Sequence, residues 1–167
     1  KKISMNSNSN PSLEKCYIMQ RGDIQRFATT LADGFSRYNM FKHVCYGRYN
    51  HDLMRLFWEV SIALLPDNAI CIADSKDANS VLIYIPPKSK EPDLLDYMKA
   101  GGVKMLFKFG IRRIARLMRF NIVIEKVAKR YRAANDGYLM AFATCLDKQG
   151  QHYGKPLITA LLNHLDA

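Results

Sequence analysis

The sequence contains no apolar run near the roughly 20 residues that a membrane-crossing helix needs. Its N-terminus, KKISMNSNSNPS, lacks the apolar core of a secretory signal; it is polar and Asn/Ser-rich, the composition of a flexible tail over residues 1–12. The first residue is Lys rather than Met, which reads as a trimmed end. Cysteine is scarce: Cys16, Cys45, Cys71 and Cys145 lie far apart, with no C-x-x-C pair. A zinc site therefore has little support, and small buried thiols in a reducing, cytoplasmic compartment are the better reading. His43, His51 and His164 show no metal-ligand spacing, so no metal is expected. There is no G-x-S-x-G and no H-E-x-x-H, which leaves hydrolase chemistry without an anchor.

What is present is enough for one globular domain. The chain has 167 residues, of which 49% are hydrophobic, so residues 13–167 can bury a core of their own. The net charge of +10 is concentrated in one stretch. Between residues 99 and 132 stand eleven Lys and Arg residues against the single Glu125, while elsewhere fourteen basic residues balance fourteen acidic ones. Questions about a charged partner are thus questions about that segment.

Hydrophobic periodicity divides the chain into elements. Lys15–Gln20 (KCYIMQ) reads as a strand and Arg21-Gly22-Asp23 as a turn. Asp23 is placed to cap a helix by accepting from its first free amides, and Ile24, Phe27, Leu31 and Phe35 form that helix's inner face. A second helix is predicted over 52–65, with Leu53, Leu56, Phe57, Val60 and Leu64 inward, Trp58 at the edge of the stripe and Pro66 as the stop. Ala69–Ala73 and Val81–Ile85 make an antiparallel hairpin. Residues 93–132 read as helical with a break at Gly101-Gly102. One face carries Leu106, Phe109, Ile114, Leu117 and Met118, and another Lys104, Lys108, Arg112, Arg116 and Arg119. Asn135-Asp136-Gly137 signals a turn. Tyr138–Leu146 is a nearly continuous apolar run, expected to be a strand buried on both faces. A Gly-bearing loop follows, then a helix over Lys155–Ala167 with Pro156 in its first turn and Leu157, Leu161, Leu162 and Leu165 inward.

The strand–loop–helix unit YLMAFATCL, DKQGQHYG, KPLITALLNHL is where chemistry can reside. Such a junction aims free backbone amides and the positive end of a helix dipole at whatever lies beside the helix start, which suits a phosphate. Gly150 and Gly154 are separated by three residues, and Pro156 follows Lys155, so the Walker pattern fails. No G-x-G-x-x-G is present. Gln151-His152-Tyr153-Gly154-Lys155-Pro156 matches a third fingerprint, Q/R-x-x-G-x-G/A, at its first and fourth positions and departs at the last.

From Lys15 onward the chain resembles the N-terminal, coenzyme-binding portion of the GNAT acetyltransferases. The likeness rests on that signature and on the order of elements: a first strand, the helix RGDIQRFATTLADGF, a second helix, a strand pair ending in Pro86-Pro87, a helical insert, a fourth strand and the loop. It implies an α/β fold with a mixed, largely antiparallel sheet flanked by helices, and a basic helical insert before the fourth strand. It implies acetyl-CoA as co-substrate, and transfer of its acetyl group to the amine of a small molecule or peptide. Backbone groups of Thr144, Cys145 and Leu146 would hold the pantetheine arm. The amides of His152, Tyr153, Gly154 and Lys155, in the loop that Gln151 opens, would hold the pyrophosphate. Pro156 offers no N–H, so coenzyme affinity should be lower than with Gly or Ala there by about 1 kcal/mol. A neutral amine would attack the thioester, a general base would take the ammonium proton, and an amide near Leu146 would stabilise the oxyanion. The fourth strand supplies no Asp or Glu as that base, so the catalytic residues stay unassigned. Members of the family often carry an acid, commonly Tyr, on a later helix; this chain stops at Ala167, so the last strands of the fold are expected to be missing.

Other readings of the residues remain open. His152 is read as an exposed loop residue before a base. The basic stretch can be a solvated face, a contact for coenzyme or substrate, or a surface for nucleic acid or anionic membrane. The last pair is the least favoured of the three, and with Phe107, Phe109 and Phe120 as its aromatics the stretch does not indicate a stacking surface for single strands. A basic helical module without enzymatic activity, and an acyl-CoA-binding domain that has lost catalysis, stand as the alternatives to an acetyltransferase.

Overall fold

The computed structural model describes residues 13–131, 133 and 136–167; the expected tail 1–12, Arg132, Ala134 and Asn135 of the expected turn lie outside them. In chain order the elements are β1 (Tyr17–Ile18), a 3-10 turn (Arg21–Asp23), α1 (Ile24–Gly34), α2 (Asn39–Val44), α3 (His51–Ala63), β2 (Ile70–Ala73), β3 (Ser80–Ile85), α4 (Leu94–Lys99), α5 (Gly102–Phe109), α6 (Ile111–Tyr131), β4 (Tyr138–Thr144) and α7 (Lys155–Leu165). The fold is mixed α/β. The four strands form one antiparallel sheet in the order β1-β2-β3-β4.

Helices cover both faces of this sheet, and strand alternation explains how. On β3, Val81 and Ile83 point into a core built with Phe27, Ala28 and Leu31 of α1 and Met54, Trp58 and Ile62 of α3. The intervening Leu82 and Tyr84 point the other way, onto Leu157 and Leu161 of α7. The strand buried on both faces is therefore β3, not the apolar run at Tyr138–Leu146. In the structure β4 ends at Thr144 and lies at the sheet edge, with Ala141 and Ala143 buried and Tyr138 and Leu139 exposed. An apolar run says how much surface a strand can bury, not whether a neighbour is there to cover it.

Several local expectations shift in the same way. The first strand shortens to two residues. The Asp23 carboxylate does not cap α1; it turns back to accept from the Gln20 N–H at 2.8 Å and the Tyr17 hydroxyl at 2.7 Å. Burial pushes this carboxyl up, but those hydrogen bonds, with Arg26 and Lys76 nearby, outweigh it and hold the pKa below its ordinary value. A side-chain cap does form on α3, where Asn50 Oδ1 receives the Leu53 N–H at 3.0 Å. Trp58 is not at the edge of α3. It is buried in the core, stacked on Phe35 at 5.4 Å, and Met54 and Ile62 are buried with it while Leu53, Phe57 and Leu64 are only half-buried. Helix α2 has no signature in the sequence because its six residues are too few to show a period.

The hairpin β2–β3 and the break at Gly101-Gly102 stand at the expected places. The helical segment breaks a second time at Gly110, whose φ of +72° takes the chain out of helical geometry and starts α6 in a new direction. Phe109 and Leu117 are buried and Ile114 packs against the core, but Leu106 and Met118, expected on the same inner face, are exposed. On α7, Leu157 and Leu161 are buried, whereas Leu162 and Leu165 face solvent. Cys45 and Cys71 are buried thiols, and burial pushes the Cys71 pKa up to about 12; Cys16 and Cys145 are half-buried.

Candidate functional site

The site implied by the sequence is built from the end of β4, a looped turn and the start of α7. The loop opens with a 3-10 turn over Leu146–Lys148 and is pinned by two glutamine side chains. Gln149 Nε2 donates to the Thr144 carbonyl at 3.1 Å, and Gln151 Nε2 to the Asp147 carbonyl at 2.8 Å. His152 then takes a left-handed conformation at φ +63°, which costs a non-glycine residue about 1 kcal/mol. Gly154 precedes α7 and passes so close to β4 that a Cβ there would sit 2.6 Å from Phe142 Cζ. At this position a side chain would have to displace the Phe142 ring, and the constraint is one of space, not of φ, which is −79°.

The N–H groups of His152, Tyr153 and Gly154 donate to no group among the described residues. They stand in sequence at the N-terminus of an eleven-residue helix, where its dipole adds partial positive charge. The fourth expected donor is already used, since the Lys155 amide donates to the His152 carbonyl at 3.1 Å. Pro156 occupies the first turn of α7. A cleft of about 400 Å³ opens beside the loop, lined by Gln151, His152, Tyr153 and Pro156 on one side and by Lys15 and Asn79 among others across from them. His152 is exposed, as expected.

The strand-end half of the site differs from expectation. Thr144, Cys145 and Leu146 do not line that cleft. The Cys145 amide continues the sheet ladder by donating to the Asn79 carbonyl at 2.9 Å, and the Leu146 amide donates to Asp33 Oδ2 at 2.6 Å. The expected oxyanion donor is thus held by a carboxylate. Because antiparallel pairing alternates, the neighbouring backbone groups of Phe142 and Thr144 face away from β3, but the Thr144 carbonyl already accepts from Gln149 Nε2 and the Thr144 backbone lies against Gly34 of α1, which leaves Phe142 at the edge of β4. An added extended segment of ligand can pair there at Phe142. The Thr144 side chain points back to Ser80, with the two hydroxyl oxygens 2.9 Å apart.

Asp33 is the residue that sequence reasoning missed. It lies in the last turn of α1, where a carboxylate opposes the helix dipole, and that misfit is the signal that could have drawn attention to it. One ligating atom each from Asp33, Cys145 and Asp147 lie within 4.8 Å of one another. Asp33 already accepts the Leu146 amide. The Cys145 thiol is pushed up by burial, helped by the two carboxylates and opposed by its contact with Thr30, so it stays protonated at neutral pH. A protonated thiol and an engaged carboxylate make a poor cation site. Compared with known protein families and with curated proteins, the chain matches none.

Proposed function

We propose that this chain is the coenzyme-binding portion of a GNAT-type N-acetyltransferase that takes acetyl-CoA and an amine acceptor. The observation that carries the reading is the row of three unengaged amides, His152, Tyr153 and Gly154, at the N-terminus of α7 directly after β4. An anion placed there gains charge-assisted hydrogen bonds and the helix dipole together. An antiparallel sheet with α1 and α3 on one face and α7 on the other supports the reading. The edge of β4 at Phe142 offers backbone pairing to a pantetheine arm, which would have to displace Gln149 to reach the Thr144 carbonyl.

In this reading Asp33 becomes the candidate general base, because its carboxylate stands at the strand end where the thioester would lie. It would take the proton from the attacking ammonium. The amine nitrogen would bond to the thioester carbon, the C–S bond would break with its electron pair on sulfur, and a second proton of the amine nitrogen would pass to that thiolate, which leaves as coenzyme thiol. The Leu146 amide would then exchange Asp33 for the oxyanion as Asp33 is protonated. A second reading, an acyl-CoA-binding domain without catalysis, is favoured by that same hydrogen bond: the amide is satisfied before any substrate arrives.

Isothermal titration of the chain with acetyl-CoA tests the shared step. We expect saturable one-to-one binding and a rise in unfolding temperature equivalent to about 2.7 kcal/mol at a hundredfold excess over Kd. No heat and no thermal shift at millimolar coenzyme would overturn both readings. Release of coenzyme thiol across a panel of amines separates them: release that falls at least 100-fold in Asp33→Asn supports the transferase, and binding without any release supports the inactive domain.

A further inference from the structure

We infer that the outer face of the helical insert α4–α6 is a docking surface for an anionic lipid interface. This inference stands apart from the acetyltransferase reading, since it uses no residue of β4, the loop or α7. Helical periodicity alone sends the apolar residues of this segment inward, which leaves nothing for a membrane to hold. Their exposure reverses that argument. Helix α4 buries no residue at all, and among the described residues only Phe109 of α5 and only Leu117 of α6 are buried.

Part of the apolar surface left outside forms one continuous stripe, while Val123, Ile124 and Val127 lie on the other side of α6. At the elbow between α5 and α6, Phe107 is 83% and Ile111 78% exposed, and both border a groove of about 550 Å³. Along α6 the stripe continues through Ala115, Met118 and Ile122, spaced at four, three and four residues and therefore on one face of the helix. All of these residues are exposed. Arg112, Arg119 and Lys126 run along one flank of that stripe, and Lys104 and Lys108 are exposed on α5. None of these five takes part in an ion pair among the described residues.

This combination selects its occupant. Apolar side chains that enter the acyl boundary, beside long cationic stems that reach back to phosphate and carboxylate headgroups, are the recognition pattern of an interfacial helix. A second copy of the chain would satisfy the apolar stripe but would bring like charge against like, since residues 99–132 carry the whole +10. Nucleic acid would satisfy the charge but leave Phe107, Ile111, Met118 and Ile122 in water. No helix among the described residues is long and apolar enough to cross a membrane, so the insert lies along the surface.

Co-sedimentation with vesicles tests this on the whole chain. We expect binding to vesicles of phosphatidylcholine and phosphatidylserine in a 3:1 ratio, weakened at least tenfold by raising salt from 0.1 to 0.5 M, and none to pure phosphatidylcholine. The pair Arg112→Glu and Arg119→Glu should weaken binding by about 30-fold or more, and the pair Phe107→Ser and Ile111→Ser by about tenfold, both without changing the unfolding temperature. These positions are exposed, so the variants fold. Three outcomes overturn the proposal: no binding to anionic vesicles; binding to duplex DNA that is as tight as to vesicles and indifferent to Phe107→Ser with Ile111→Ser; or a dimer by light scattering that the same pair dissolves.

Discussion

The body of the molecule and its helical insert are built from similarly apolar sequence but place it differently. In the body, α1, α3 and the two central strands turn their large side chains inward, and Phe27, Leu31, Met54, Ile62 and Ile83 are almost wholly removed from water. In the insert, the three helices satisfy their own backbone hydrogen bonds while leaving most of their apolar side chains outside. What anchors the insert is Phe109 and Leu117 in the core, Met105, Ile114 and Phe120 packed against it, and two arginines on the body. Arg116 donates to the His43 carbonyl at 2.8 Å and lies over the Tyr46 ring at 4.1 Å, with Arg113 at 5.3 Å from the same ring. The contrast teaches that helical periodicity reports the shape of a segment, whereas its stability comes from a covered face.

The largest effect expected from this contrast is in side-chain truncation. Phe27→Ala removes a fully buried ring and should cost about 4 kcal/mol of unfolding free energy, enough to unfold much of a marginally stable domain. Ile122→Ala, at an equally apolar residue on α6, should cost less than about 0.5 kcal/mol. Urea melts of the two variants check this. A loss of several kcal/mol at Ile122 would mean that the insert is packed against something, and the comparison would fail.

A middle-sized effect separates the two regions directly. Arg116→Ala removes a charged hydrogen bond and a cation–π contact, together worth about 2 kcal/mol locally. Hydrogen exchange should therefore speed up by about tenfold or more in α6 near residue 116 while β2 and β3 amides keep their protection. If exchange rose equally in the sheet, the insert and the body would be one cooperative unit.

How much of this was legible in the sequence follows the same divide. The period of Phe27 and Leu31, the hairpin around Asp74–Ser80 and the Pro-stopped α3 are local signals, and local signals placed those elements. The length of β1, the inward turn of Trp58 and the exposed side of β4 depend on which neighbour comes to lie beside them, which no window of sequence holds. The loop shows both limits at once. Gln151 and Gly154 located it by pattern, yet its hydrogen bonding was settled by Asp33, more than a hundred residues away, which engages the Leu146 amide. The glycine of the pattern also meets a constraint from elsewhere, the Phe142 ring, which a Cβ there would have to displace.

The smallest effect concerns a single missing N–H. Pro156 lies just beyond the three free amides and lines the cleft beside them. Its fixed φ suits the first turn of α7, so Pro156→Ala should leave folding nearly unchanged, by less than about 1 kcal/mol. The alanine would add one donor at the helix start. If a pyrophosphate sits there, that donor is worth about 1 kcal/mol, and acetyl-CoA should bind about fivefold tighter. The gain should vanish for pantetheine compounds that lack the pyrophosphate, because nothing then meets the new N–H. Equal affinity of the wild-type chain and Pro156→Ala for acetyl-CoA would place any bound phosphate away from this turn, and the free amides of His152, Tyr153 and Gly154 would need another partner.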